Sequence, residues 1–144
     1  MLIKHKIFLD ETILRCISAS DKSDITKDTL KFGEQLGLYE TYMLEASAHN
    51  NEGILKQIEF TPISSHTDIV VLAEKFISLE ILENKNMDVC LNIAAALLHD
   101  CDFFVSWNYT HVVNAKTIQG TKIVAMLEDL KDIIICTPTM LLQE

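Results

Sequence analysis

Short apolar runs that alternate with helical patterns constrain the fold of this chain more than any other feature of its sequence. Residues 7–10, 103–106 and 133–136 have the length and composition of buried strands. Residues 87–99 are apolar almost all round, which is typical of a helix in the interior of a protein. Because strands that are joined by helices and buried on both faces form parallel sheets, the sequence predicts an α/β fold. We expect three α/β/α layers around a mainly parallel central sheet, in a single domain over residues 1–144.

The remaining elements are predicted from periodicity and capping residues. Further helices are expected over residues 11–17, 24–36, 67–79 and 115–130, the last of them broken near Gly120. Residues 38–44 are predicted to be a weaker strand or a strand-to-helix junction, and residues 45–58 are helical by composition but interrupted. Residues 60–68 are predicted to form a loop, and residues 111–114 a short strand.

The charge of the chain limits what it can bind. The sequence has 12 Lys and Arg residues against 21 Asp and Glu residues, which gives a formal net charge of −9. Phosphate backbones repel an acidic protein, so nucleic-acid binding would need a local basic patch or bound metal cations.

Cysteine usage and hydropathy indicate the compartment. The four cysteines include no CxxC pair, and they lie in apolar runs, as buried thiols in a reducing cytoplasm do. The amino-terminal apolar stretch is too short for a signal peptide, and no apolar run approaches the length of about 20 residues that a membrane span requires. We therefore expect a cytoplasmic protein that has no contact with a membrane.

Polar side chains follow two of the predicted strands. Asp10 ends the first strand, and the strand at residues 103–106 is followed by Trp107, Asn108 and His111. In sheets of this kind, functional groups gather at the carboxyl ends of the strands. The sequence therefore places Asp10 and Asn108 at one edge of the sheet, where a site is expected.

Five segments of the chain carry a further pattern: KIFLDETI, YMLEAS, LAEKFI, DVCLNIAAALLHDCDFFVSWNYTHVVNAKTIQG and IIICTPTMLL. Their order and spacing resemble those of a PIN domain, and they are most similar to small prokaryotic PIN-like proteins with an S-W-N-x-x-H segment. The resemblance covers most of the chain, and the carboxyl half carries most of its specificity. PIN domains are typically metal-dependent ribonucleases, many of which are toxins of bacterial toxin–antitoxin pairs, and homodimers are usual among them.

The resemblance implies a site for Mg²⁺ or Mn²⁺. PIN domains gather three or four acidic side chains around the metal, because hard divalent cations prefer oxygen ligands. The bound cation activates water and offsets charge on the phosphate under attack. Carried over to this sequence, the pattern gives Asp10, Glu45, Asp88 and Asn108 as the catalytic and metal-binding residues.

The third acidic position departs most from the family pattern. The common D-A-L-H-I-A motif aligns with residues 89–94, so its aspartate falls on Val89, and Asp88 lies one residue earlier. One residue is a rotation of about 100° around a helix, so Asp88 reaches the site only if the helix is slightly rotated. The alternative is that Asp88 is a capping acid in the first turn of this helix.

Other positions leave alternatives open. The resemblance places Glu45 at the second acidic position, but a shift of one residue would put Ala46 there instead. Glu11 occupies a position where the family usually has a small hydroxyl residue. Near the site, Trp107 is expected to be a packing residue, and His111 to hydrogen-bond the backbone or to orient Asn108.

Three functions are compatible with these residues. The first is a metal-dependent ribonuclease of the toxin–antitoxin type with a partly eroded acidic site, acting on RNA and neutralised by an antitoxin protein. The second is a catalytically inactive PIN-like domain retained for RNA or protein binding, which is supported by Val89 and Asn108 at acidic positions. The third is a receiver-like signalling domain, because a strand-end aspartate can accept a phosphoryl group. A homo-oligomer formed through the helices at residues 25–58 is expected in the first two cases.

Overall fold

Five parallel strands form the centre of the structure, a computed structural model that describes residues 3–19 and 21–143. The strands lie in the order β3-β2-β1-β4-β5, and every neighbouring pair is parallel. Their bounds are β1 (His5–Leu9), β2 (Tyr39–Leu44), β3 (Thr61–Ile63), β4 (Phe103–Val105) and β5 (Ile134–Cys136). The predicted α/β fold with three layers is confirmed.

Eight helices connect and cover the strands in the described part of the chain. Their bounds are α1 (Glu11–Ile17), α2 (Asp24–Glu34), α3 (Glu45–His49), α4 (Glu52–Leu55), α5 (Thr67–Ser78), α6 (Met87–Leu98), α7 (Ala115–Leu127) and α8 (Pro138–Leu141). Among the described residues, none of these helices combines the length and the apolar composition that a membrane crossing needs.

Successive residues of the central strands serve two different cores. Phe8 and Phe104 face the helices α5, α6 and α7, and their rings stack with centroids 5.2 Å apart. Ile7, Leu9 and Val105 face the opposite side and belong to the second core with α1 and α2. The side chains of a strand point alternately to the two faces of a sheet, so these fully apolar strands can exist only with helices on both sides.

Two local predictions are wrong. Residues 60–68 are not entirely a loop, because β3 within them pairs with the end of β2. This strand is only three residues long and contains Pro62, which is tolerated there because β3 lies at the edge of the sheet. Residues 111–114 form turns instead of a strand, since the backbone N–H groups of Val112 and Val113 both donate to the carbonyl of Asn108 at 2.9 Å.

Helix α7 is also not broken near Gly120, contrary to the prediction. The helix runs without interruption from Ala115 to Leu127. Gly120 is needed for packing, because a Cβ atom at this position would lie 2.5 Å from Cγ2 of the buried Ile81. A glycine inside a helix can therefore mark a close contact as well as a break.

The two helical glycines Gly120 and Gly33 make a matched pair for testing this contact. Gly120→Ala is expected to destabilise the protein, because overpacking costs about 1–3 kcal/mol and outweighs a helix-propensity gain of about 1 kcal/mol. Gly33→Ala in α2 is expected to stabilise it, because nothing beyond the neighbouring backbone of its own helix lies within 4 Å of the added methyl group. Urea unfolding of both variants measures the two changes, and changes of the same sign would contradict the contact.

Candidate functional site

An open cleft of about 360 Å³ lies at the carboxyl ends of β1 and β4, where the sequence places a site. Besides Thr12, Arg15 and Ser47, its polar lining has three carboxylates and three side-chain amides. They are Asp10, Glu11, Asp88, Asn50, Asn92 and Asn108. The cleft thus contains three acids, as the residues carried over from the resemblance do, and two more amides.

Asp10 is the most buried of these acids, with 7% of its surface exposed. It is the N-cap of α1, and its Oδ1 accepts hydrogen bonds from the backbone N–H of Thr12 at 3.0 Å and from the Thr12 hydroxyl. Its Oδ2 accepts a hydrogen bond from the hydroxyl of Ser106. Both oxygens of the carboxylate are therefore already bonded within the protein.

The same two hydroxyls hold the segment that follows β4. The Thr12 hydroxyl accepts a hydrogen bond from the backbone N–H of Trp107, and the Ser106 hydroxyl accepts one from the backbone N–H of Asn108, each at 2.9 Å. Each hydroxyl thus accepts a hydrogen bond from a backbone N–H and donates one to the carboxylate of Asp10. The polar segment after β4 is fixed to the end of β1 through this carboxylate.

Burial changes the acidity of Asp10. Removal from water raises the pKa of this carboxyl above 3.8, and the hydrogen bonds from Ser106, Thr12 and Ile13 oppose the shift without cancelling it. The folded protein therefore keeps the Asp10 proton to a higher pH than the unfolded chain does. The associated stability is present below about pH 3.8 and is lost as the pH rises through the folded-state pKa.

Asp10→Asn tests this linkage, because asparagine does not titrate. The stability of the natural protein relative to the variant is expected to fall as the pH rises from 4 towards the folded-state pKa, by up to about 1.4 kcal/mol per pH unit. Urea unfolding of both proteins at several pH values between 4 and 8 gives the difference. A difference that grows in favour of the natural protein over this range would contradict the raised pKa.

Glu45 lies outside the cleft. It is exposed at the first position of α3, and its Oε2 accepts a hydrogen bond from the Ser64 hydroxyl at 2.7 Å. It borders a separate groove, and the neighbouring Ala46 lines the cleft in its place. The structure therefore brings Asp10, Asp88 and Asn108 together but leaves out Glu45.

Asp88 is exposed in the first turn of α6, and it lines the cleft together with Val89. Its position also suits the alternative interpretation, because an acid in the first turn is stabilised by the helix dipole. Asn92 donates a hydrogen bond through Nδ2 to the Asp88 carbonyl at 2.8 Å. The Oδ1 atom of Asn92 is buried and has no hydrogen-bond partner in the described chain.

The amides Asn108 and Asn50 also line the cleft. Oδ1 of Asn108 accepts a hydrogen bond from the backbone N–H of His111 at 3.0 Å, so the amide shapes its own turn. Nδ2 of Asn50 lies 3.5 Å from Oε1 of Glu11. Sequence reasoning missed Asn50. Helix spacing could have found it, because Ala46 and Asn50 are four residues apart and share a face of the helix.

Trp107 and His111 near the cleft have the structural roles that were predicted from the sequence, and Asp102 has a structural role at the opposite edge of the sheet. Trp107 packs against the second core and donates through Nε1 to the Thr29 hydroxyl at 2.8 Å. His111 contributes its backbone N–H to Asn108, as noted above. Asp102, at the entrance of β4, accepts a hydrogen bond from the backbone N–H of Lys6 at 2.8 Å.

The donors in the cleft do not fit the metal site that the resemblance implies. The resemblance implies three or four acidic side chains gathered around one site, where their oxygens bind a hard divalent cation. Here Asp10 is engaged by hydroxyls, and Glu11 lies 3.7 Å from the guanidinium of Arg15. Asp88 remains as the single free acid, and across residues 3–19 and 21–143 no three Asp, Glu, His or Cys side chains are grouped to hold a metal ion.

No family model matches this chain, and no curated protein matches it either. The likeness to PIN domains therefore rests on the residues of the sequence itself.

Proposed function

We propose that this protein is a PIN-like domain that binds a protein partner through the cleft and does not cleave RNA. The proposal rests on the hydrogen bonds of the Asp10 carboxylate. Its two oxygens are bonded to Thr12 and Ser106, and these bonds fix the turn after β4. An acid with this role supports the architecture of the site, and Glu45, which would complete a metal cluster, faces another groove.

The charge of the molecule favours a basic protein over RNA as the partner. The carboxylates of Asp10, Glu11 and Asp88 line the cleft against one lining cation, Arg15, which lies 3.7 Å from Glu11, and the chain has a net charge of −9. Without a bound cation, these carboxylates repel phosphate and attract the ammonium or guanidinium group of a lysine or arginine. A small partner of the antitoxin type with a basic segment has the required chemistry.

The cleft offers the contacts that such a side chain needs. A guanidinium group has five N–H donors and no acceptor, so it is matched by a surface rich in acceptors. Asp88 supplies the charge, and the unpartnered Oδ1 of Asn92 supplies a neutral acceptor. Leu91 and Val112 in the same lining can cover the aliphatic stem of the side chain.

A titration with the tripeptide Ac-Arg-Arg-Arg-NH₂, followed by the backbone amide resonances of the protein, tests the binding of a basic segment. Saturable shifts are expected at the residues of the cleft. Asp88→Asn is expected to weaken the binding about threefold to fivefold, which corresponds to the loss of one partly exposed charge pair. Glu74→Gln removes the same charge from an exposed position of α5 away from the cleft and serves as the control. Equal weakening by both variants would show non-specific attraction and contradict the proposal.

A ribonuclease is the second candidate, and it is favoured by the presence of Asp10, Asp88 and Asn108 in one cleft. Calorimetry with Mn²⁺ and cleavage of a single-stranded RNA separate the two functions. The proposed binding protein gives no saturable heat and no cleavage. Saturable Mn²⁺ binding and cleavage that are both lost in Asp10→Asn would establish the nuclease instead.

We also propose that two copies of the chain pair through the helices near residues 25–58. Ile25, Leu30 and Leu38 in this part of the chain have 44%, 47% and 54% of their surface exposed. Apolar side chains with this exposure are suited to contacts with a second copy. Sedimentation equilibrium of the natural protein and of Leu30→Glu distinguishes a dimer of this kind from a monomer.

A further inference from the structure

Strand β2 is paired along only half of its outer edge. Tyr42–Leu44 pair with β3, whereas no strand in the described chain lies beside residues 39–41 on that side. On the other side, His5–Phe8 of β1 pair with Tyr39–Tyr42. Backbone N–H and C=O groups of successive strand residues point alternately to the two sides, so residues 39–41 present unpaired backbone groups at this edge.

Residues 57–60, which lead into β3, are not part of the strand that pairs with β2, and together with residues 39–42 they line a groove. The groove has a volume of about 540 Å³, within the range of ligand pockets in proteins. Its apolar lining comprises Leu36, Tyr39, Ile58 and Phe60. The groove lies at the amino ends of the strands, and the cleft that contains Asp10 lies at their carboxyl ends.

The side chain of Thr41 also indicates that the groove binds a ligand. This residue lines the groove with only 5% of its surface exposed, and its Oγ1 atom is buried without a hydrogen-bond partner in the described chain. A buried hydroxyl without a partner is unfavourable, and buried polar groups in folded proteins are nearly always bonded. A bound group that hydrogen-bonds Thr41 would remove this defect.

The charged residues of the groove indicate the sign of the ligand. Glu40 and Glu59 line it together with Lys4, which leaves one uncompensated negative charge. A ligand that carries a lysine or an arginine is therefore favoured over an acidic one.

We propose that the groove binds an extended, basic peptide segment of a partner protein, which adds to the free edge of β2 in line with β3. The backbone of the segment pairs with residues 39–41, and its alternate side chains enter the groove. One of these side chains, or a backbone group of the segment, bonds the Thr41 hydroxyl. The inference does not depend on the function proposed for the cleft, because the two sites share no residue.

The pentapeptide Ac-Val-Lys-Val-Lys-Val-NH₂ serves as the probe, and it is added to the Asp88→Asn variant, in which binding in the cleft is weakened. Backbone amide shifts that saturate and map to residues 36–42 and 57–61 support the proposal. An analogue with N-methyl groups at alternate amides has the same side chains but fewer backbone N–H donors. Because it loses backbone pairing with β2, it is expected to bind at least tenfold more weakly, which corresponds to about 1.4 kcal/mol for each factor of ten. Equal binding of this analogue, or of Ac-Val-Glu-Val-Glu-Val-NH₂, overturns the proposal.

Thr41→Val and Thr121→Val provide the matched pair of variants. Both threonines are buried, and the hydroxyl of each has no partner in the described chain, but Thr121 lies in α7 away from the groove. Both substitutions are expected to raise the thermal midpoint, because each removes an unsatisfied group. Only Thr41→Val is expected to weaken peptide binding, by about fivefold to tenfold. Unchanged peptide affinity in Thr41→Val overturns the proposal. Amide shifts that depend on protein concentration in the absence of peptide would indicate a second copy in the groove, and they also overturn it.

Discussion

Asn50→Asp combined with Val89→Asp is expected to create saturable Mn²⁺ binding where the natural sequence gives none. Both positions line the cleft that contains Asp10, Glu11 and Asp88, so the double variant raises the number of carboxylates in the lining from three to five. The affinity of oxygen sites for divalent cations depends strongly on the number of charged ligands, and we expect a gain on the order of a hundredfold. The result would show that the scaffold can support a metal centre and that the natural side chains prevent it.

Calorimetry with Mn²⁺ measures this gain. Asn84→Asp combined with Val71→Asp is the control, because it adds the same two carboxylates at exposed positions outside the cleft. Val89 is half-buried against the core, so circular dichroism must first show that each variant is folded. Equal Mn²⁺ affinity in the two double variants would mean that the cleft does not position its acids around a cation.

Asp10→Ala is expected to destabilise the protein by about 3 kcal/mol, whereas Asp10→Asn is expected to cost far less at neutral pH. Alanine removes the N-cap of α1 and leaves the hydroxyls of Thr12 and Ser106 without their acceptor. Loss of a cap costs about 1 kcal/mol, and each buried hydroxyl left unsatisfied adds about 1 kcal/mol or more. Asparagine keeps an acceptor oxygen towards Thr12, and its amide can donate to Ser106.

Chemical denaturation at pH 7 measures both changes in the free energy of unfolding. Asp21→Ala is the control, because this exposed acid also accepts hydrogen bonds from two hydroxyls, those of Ser23 and Thr26, but is solvated. Its loss is expected to cost less than 1 kcal/mol, since water replaces the carboxylate. If Asp10→Ala is no more destabilising than Asp21→Ala, then Asp10 does not hold the turn after β4, and its carboxylate is free to bind a metal ion.

The position of the cleft could be predicted from the sequence because it depends on local patterns. Asp10 ends an apolar run, and Asn108 follows another. Two parallel strands necessarily bring such residues to the same edge of the sheet. The identity of the lining could not be predicted in the same way. A rotation of about 100° separates Glu45 from Ala46, and no pattern in the sequence fixes where α3 begins.

The α/β class, the parallel sheet with two covered faces and the position of Asp10 at the sheet edge were determined by the sequence alone, because apolar periodicity and burial on both faces are properties of short segments. Strand β3 and the turns at residues 111–114 were not. Only the tertiary structure decided that the hydroxyls of Thr12 and Ser106 donate hydrogen bonds to the Asp10 carboxylate. The same holds for Asn50, which lines the cleft, and for the close contact with Ile81 that requires a glycine in α7. These contacts join residues that are distant in the chain or depend on the exact rotation of a helix. The physical reason is that a side chain's partners follow from how whole elements pack, and local sequence does not encode that packing.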